Sequence, residues 1–436
     1  MRRVADGVMG ALARVLVHVF FRRVEVSRGE ALAPGVPTVV VANHTNGLVD
    51  ALLLMSALRR YPRFLGKSTL FKILPLWPFL KLAGVVPVYR AKDGESTAKN
   101  SAAFSMCRRL LARGGMVALF PEGISHDEPS LQPLKTGAAR IALGAAIDDD
   151  VEGVVTVAVG LAYDSKARFR SRALVQVGEP QAVSAWADAY RRDDHSATRA
   201  LTDDMATRLR QVSPDYESWR QAQTLARLAE VVQRRIEVVP TEVDLARREQ
   251  LARSLAQGPG PTPALAEAFD RYERDLALLG LSDAQVGASY ASGHLRRMFL
   301  WALAKVVAAA PFAAVGAVVH VVPYQVMKKV GTIPTNEGMK ATVKLLGCFA
   351  SFTSLYIALG VVLGLQFGLP VGTTAFVAAP VCGYVTVLFS ERVKRVGGAT
   401  AGARAVRRRS AAIESVLAHR RAVVELAQRV ADGSSR

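Results

Sequence analysis

The stretch VPTVVVANHTNGLVDALLLMSAL, residues 36–58, decides the fold. Its first seven residues are a Val-rich run without polar alternation, the pattern of a strand buried on both faces. From Asp50 onward, DALLLMSAL has the apolar density of a helix. Asn43 and His44 therefore end a strand, and Asp50 opens a helix. A strand-to-helix turn of this kind presents side chains to a crevice. If Asp50 accepts a hydrogen bond from one imidazole nitrogen of His44, the other is left as a base that can take a proton from a hydroxyl. Alone, such a pair is commonplace in purely structural roles.

Working outward, strand-like runs recur at 84–90 (GVVPVYR), 114–120 (GGMVALF), 153–163 (GVVTVAVGLAY) and 172–178 (RALVQVG), with apolar helical patterns separating the runs from 36–42 to 153–163. The expected architecture is an α/β domain over 31–183 with a largely parallel sheet flanked by helices. GVVPVYR ends in Arg90, whose planar fork suits a phosphate. FPEGISHDEPSLQPLKTGAARIAL, residues 120–143, places Glu122, Gly123 and Ser125 just past the next strand and Lys135 at a helix start. His126 and Asp127 resemble a second acid–base pair, but adjacent residues point apart, and a solvated loop is expected there.

The remaining chain differs in character. Residues 1–30 read as an amphipathic helix at a membrane interface, with Val8, Leu12, Val15, Leu16 and Val19 near one stripe and arginines at its ends. Residues 184–295 form a charged helical insert or lid, interrupted by GPGPTP at 258–263. Residues 296–395 are membrane segments. No charged residue occurs over 345–390, enough for a hairpin of spans at 345–367 and 369–389. The segment 298–322 carries Lys305, His320 and Pro311 and has positive residues at both ends, which suits a re-entrant or broken helix as well as a full span. Residues 396–436 read as a basic amphipathic tail.

Composition bounds the partners. Half of the 436 residues are apolar and mean hydropathy is +0.20, yet 56 Lys and Arg oppose 37 Asp and Glu for a formal charge of +19. A protein both apolar and basic fits an anionic lipid membrane, where each Lys or Arg near the surface contributes about 1 kcal/mol. No zinc-ligand pattern, RNP-like motif or recognition helix accompanies the basic residues, so nucleic acid is not an expected partner. Three scattered cysteines suggest neither a metal cage nor a disulfide framework, and a reducing cytoplasmic face is the default location for the domain.

Four blocks in order, Asn43-His44 with Asp50, residues 84–90, Phe120-Pro121-Glu122-Gly123 and residues 157–163, resemble those of the glycerolipid acyltransferase family. YERDLALLGLSDAQV (272–286) and the apolar C-terminus look like the yeast-type glycerol 3-phosphate and dihydroxyacetone phosphate acyltransferase branch. Most of the family has four residues between His and Asp, whereas Thr45 to Val49 make five here, and Val-Gly-Leu stands where a proline is common in the fourth block. The extra residue is a mark of that branch.

The resemblance implies the family's fold and a fatty acyl transfer from acyl-CoA or acyl carrier protein to the sn-1 hydroxyl of glycerol 3-phosphate or dihydroxyacetone phosphate. The alternative acceptor is lysophosphatidate. A non-catalytic lipid-binding scaffold is the alternative of another class. In the enzyme reading His44 is the general base, Asp50 orients it, and Arg90 binds the acceptor phosphate. Glu122 and Gly123 shape the glycerol site, Ser125 donates a hydrogen bond, and Lys67 and Lys135 add phosphate contacts. No metal and no resident cofactor are implied.

Overall fold

The computed structural model describes residues 2–29, 32–74, 76–90, 100–257, 260–290, 292–333, 337–408 and 410–433. Gly258 and Pro259 of the GPGPTP break lie outside these residues. The chain divides into two compact units, one of residues 1–218 with 331–345 and one of 219–330 with 346–436.

The first unit runs α1 (Arg2–Phe20), β1 (Phe21–Ser27), β2 (Thr38–Ala42), α2 (Leu48–Ala57), β3 (Arg63–Lys67), α3 (Trp77–Ala83), β4 (Val86–Val88), α4 (Asn100–Leu111), β5 (Met116–Leu119), α5 (Gly137–Leu143), β6 (Val155–Tyr163), β7 (Ser171–Val177), β8 (Gln181–Ala182), α6 (Ala187–Arg192) and α7 (Asp194–Val212). The strand order is β1-β7-β6-β2-β5-β3-β4, with β8 also on β6. All pairings are parallel except those of β6 with β7 and β8. This is the expected α/β fold. All five residues of β2 are buried. Val40 and Ala42 face a core shared with α1 and α2, and Val39 and Val41 face one shared with α4, α5 and α7, as the two-residue period of a strand requires.

Several sequence expectations are corrected. The first helix stops at Phe20, and FRRVEVS becomes edge strand β1, paired in parallel with β7. Its two arginines suit an edge, where charge discourages further strand addition. The stripe of α1 facing the core is Met9, Ala13, Val17 and Phe20, while Val8, Val15 and Val19 are exposed. Asp6, which interrupts the apolar pattern, pairs with Arg63 at 2.5 Å.

The charged insert expected at 184–295 does not stand as one body. Its first part belongs to the sheet unit because Leu201, Met205 and Leu209 of α7 are buried against the sheet. Asp193 fixes the start of α7 by accepting from the backbone N–H groups of His195 and Ser196 at 3.0 and 3.1 Å. A Cβ on Gly160 of β6 would lie 1.9 Å from the Val212 carbonyl oxygen, where the end of α7 presses on the strand.

The second unit contains α8 (Trp219–Gln233), α9 (Leu245–Gln257), α10 (Pro263–Leu279), α11 (Asp283–Val286), α12 (Ser292–Val330), the greater part of α13 (Glu337–Phe367), α14 (Leu369–Arg408) and α15 (Ser410–Gly433). Among the described residues, three helices are long and apolar enough to cross a membrane, over Phe299–Val330, Lys340–Phe367 and Leu369–Val406. Within the first, the helix continues unbroken through Pro311 and Pro323, so no break at the proline forms a re-entrant segment. Thr386 Oγ1 of α14 donates to the Ala313 carbonyl of α12 at 2.9 Å. The C-terminal segment is no free tail. Ile413, Val416 and Val423 of α15 are buried, α15 packs on α10, and Arg420 donates to Asp283 at 2.9 Å.

Candidate active site

Strand β2 ends because Asn43 substitutes its side chain for backbone. Its amide nitrogen donates to the Leu161 carbonyl at 3.0 Å and its oxygen accepts from the Leu161 N–H at 2.7 Å. The ladder with β6 is thus continued by a side chain, and the main chain is free to turn at His44. The turn needs Gly47, at φ 56° and ψ −133°, a conformation only glycine adopts readily.

Asn46 N–H donates to Asp50 Oδ2 at 2.7 Å, and the same oxygen lies 2.9 Å from His44 Nδ1. The other oxygen, Oδ1, accepts from the Tyr163 hydroxyl at the end of β6. Asp50 is 0% exposed. A carboxylate so buried is costly by several kcal/mol unless paired, and hydrogen bonds to a charged group contribute about 1.5–3 kcal/mol each. With three donors on it, Asp50 acts as acceptor only.

With Nδ1–H donating its hydrogen bond to Asp50, the neutral His44 ring carries its lone pair on Nε2. Among the described residues nothing hydrogen-bonds that nitrogen, and the side chain is 18% exposed. The ring stacks on Phe120, with centroids 4.0 Å apart and planes at 9°, which fixes its rotation.

The loop after β5 is stitched to this turn at three points. His44 N–H donates to Glu122 Oε1 at 2.7 Å, His126 N–H donates to the His44 carbonyl at 3.2 Å, and Gly47 N–H donates to Ser125 Oγ at 3.0 Å. Glu122 Oε2 accepts from Gln132 N–H at 2.9 Å and from His126 Nε2. The expectation of a solvated loop at His126 and Asp127 is therefore overturned for the histidine. His126 is 7% exposed, and its Nδ1 accepts from Glu128 N–H at 3.2 Å. Its carboxylate partner is not the adjacent Asp127 but Glu122, four residues back on the folded loop. Asp127 pairs with Lys166 at 2.8 Å.

Two of the expected phosphate contacts converge. Arg90 donates to the Gly123 carbonyl at 2.7 Å, and the aliphatic part of Lys135 lies against Gly123, 3.0 Å from where a Cβ would stand. Gly123, at φ 70° and without a Cβ, leaves room for the Lys135 side chain. Lys67 ends β3 exposed, in register with Val88, two residues before Arg90. The structure brings together His44, Asp50, Glu122, Gly123, Ser125, Arg90 and Lys135, and leaves Lys67 on the rim without a hydrogen bond among the described residues. Glu122 and Ser125 act on the His44 turn itself. Among the described residues no three His, Cys, Asp or Glu side chains gather as a metal cage.

Sequence reasoning missed Asn46, Phe120 and Tyr163 as parts of the site. Tyr163 carried one signal, a polar-tipped aromatic closing an otherwise apolar strand. It also missed Thr342, whose Oγ1 accepts from the Leu48 N–H at 3.3 Å and so satisfies the first turn of α2 from 294 residues away.

Residues 23–161 match the Acyltransferase family model. Among similar proteins, glycerol-3-phosphate O-acyltransferase 2 of Saccharomyces cerevisiae is 35% identical over 176 residues, 39% of this chain and 24% of that protein. The 1-acyl-sn-glycerol-3-phosphate acyltransferase beta of Homo sapiens is 27% identical over 176 residues, 40% of this chain and 61% of that protein. The matched stretch thus spans about a quarter of the yeast relative's length. A solved 1-acyl-sn-glycerophosphate acyltransferase from Thermotoga maritima aligns over 48% of this chain and 82% of that one, at 18% identity and a TM-score of 0.34.

Proposed function

We propose that this chain moves a fatty acyl group from acyl-CoA or acyl carrier protein to the sn-1 hydroxyl of glycerol 3-phosphate or dihydroxyacetone phosphate. The observation that carries the reading is the open Nε2 of His44, on a ring held from behind by buried Asp50. Nε2 takes the proton of the acceptor hydroxyl as its oxygen attacks the thioester carbonyl. The tetrahedral intermediate then collapses, the carbon–sulfur bond breaks, and the departing thiolate receives the proton from His44. Asp50 supports the transient imidazolium without taking its proton. Arg90 and Lys135, at Gly123, hold the acceptor phosphate.

The apolar character of the chain supports a site beside lipid. In the first unit Val4, Val8, Val15 and Val19 of α1 and Trp77, Phe79 and Leu82 of α3 are exposed, on helices that also carry Arg2, Arg3, Arg14 and Lys81. That combination fits an anionic membrane surface, with the first unit on its cytoplasmic side.

Glycerol 3-phosphate is preferred because the yeast relative named for it is the more similar at 35% identity. Lysophosphatidate is the second reading, supported by the human protein named for that acceptor, of which 61% is matched. The full chain, purified in detergent, is to be assayed with a labelled acyl-CoA and each acceptor. Turnover with glycerol 3-phosphate is expected; turnover with lysophosphatidate alone rejects the first reading.

A further inference from the structure

The carboxylate behind His44 has two oxygens, and their division of labour is uneven. Oδ2 serves the His44 ring and the Asn46 N–H. Oδ1 serves one partner, the Tyr163 hydroxyl, which reaches it from β6, 113 residues along the chain. Without a donor on Oδ1 the carboxylate would be free to rotate about its Cβ–Cγ bond, and either oxygen would meet the imidazole at a different angle. A buried acceptor left without its donor also incurs a desolvation cost, so the group would reorient to recover one.

Tyr163 packs against the apolar core of the first unit. Its ring stacks on Phe21, with centroids 5.7 Å apart and planes at 26°. Phe21 is 1% exposed at the start of β1. Burial, the neighbouring Asp50 charge and the hydrogen bond to it raise the phenol well above its ordinary pKa, whereas Asn46 acts in the opposite direction. The hydroxyl therefore keeps its proton and remains a donor across the range in which His44 would work.

We infer that Tyr163 is a positioning residue of the site: its hydroxyl fixes Oδ1 of Asp50 so that Oδ2 meets Nδ1 of His44 and Nε2 faces the acceptor. Tyr163 touches neither the reacting atoms nor the His44 ring and acts through Asp50. The inference rests on the acyltransferase reading above for its kinetic consequence. Its structural content, a chain from Tyr163 through Asp50 to His44, stands independently of which reaction is catalysed.

The test uses the full chain with Tyr163→Phe, which preserves the ring stack and removes only the hydroxyl. With labelled acyl-CoA and the productive acceptor, kcat should fall about tenfold, the equivalent of one hydrogen bond of about 1.4 kcal/mol, with both KM values unchanged within twofold. In an Asp50→Asn background the same substitution should change kcat by less than twofold, since the pair acts as one unit. The packing control is Phe21→Leu, which disturbs the stack and leaves the hydroxyl. It should lower the melting temperature while kcat stays within about twofold.

A second readout needs no turnover. In protein labelled with 15N-histidine, seven side chains are observed, and the His44 resonance is identified by its loss in His44→Gln. Removing one of the three donors from Asp50 strengthens the two that remain, so the His44 Nδ1 proton should move downfield in Tyr163→Phe. Wild-type kcat in that variant, an equal loss in both backgrounds, a loss as large in Phe21→Leu, or an unmoved Nδ1 proton each overturns the inference. If the wild-type chain transfers no acyl group, the proposed function fails, and the proton shift still decides the role of Tyr163.

Discussion

Among the described residues, two histidine–carboxylate pairs of the first unit are joined by the His126 N–H on the His44 carbonyl and the His44 N–H on Glu122, and they are built for different work. His44 with Asp50 occupies the turn after β2; His126 with Glu122 occupies the loop after β5. In the first, one ring nitrogen is anchored and the other is open, on a side chain 18% exposed. In the second, both ring nitrogens are committed, Nε2 to Glu122 and Nδ1 to the Glu128 N–H, on a residue 7% exposed. The carboxylates differ likewise. All three donors on Asp50 support the His44 turn and its ring, whereas Glu122 ties His44 N–H, Gln132 N–H and His126 into one frame. Proximity of an acid and an imidazole therefore does not define a base; an unspent nitrogen does. The buried pair holds the shape of the turn on which the open pair works.

Substitutions separate the two roles. Asp50→Asn should lower kcat by about 10³ to 10⁴, because the ring loses the acceptor that sets its tautomer, with the circular dichroism spectrum retained. Next in size, Arg90→Ala should raise the acceptor KM by about ten- to a hundredfold and change kcat far less, as expected for a phosphate contact at Gly123. An unchanged acceptor KM would remove Arg90 from the binding site. The smallest catalytic effect is expected for His126→Ala, with kcat within about threefold of wild type. That change removes a buried donor from Glu122, at a cost of about 1–3 kcal/mol in stability, so the thermal midpoint should fall. A kcat loss comparable to that of Asp50→Asn, without thermal destabilisation, would erase the contrast between the pairs.

The contrast also shows what a sequence discloses. The buried strand at 38–42 and the turn at Asn43 and His44 were legible, since each depends on short-range pattern and strand ends, whereas the meeting of Arg90 and Lys135 at Gly123 depends on how the loops fold. His126 was misread because neighbours along a chain were compared, while its acid lies four residues back on a folded loop. Strand β1 was hidden by Arg22 and Arg23, which suit an edge as well as a helix end. Tyr163 and Thr342 act across 113 and 294 residues, separations at which no local pattern operates. The division of the helical region at Ser218 and the packing of α15 on α10 likewise depend on which apolar faces meet, and periodicity alone does not name the partner.

The central claim is that the open nitrogen of His44 is the base of an acyl transfer. It is tested most directly by comparing the wild-type chain with His44→Ala, both purified in detergent and matched in melting temperature, for transfer from labelled acyl-CoA to glycerol 3-phosphate. Wild-type transfer with a loss of about 10² to 10⁴ in the variant is predicted. Equal transfer by the two proteins would contradict the account.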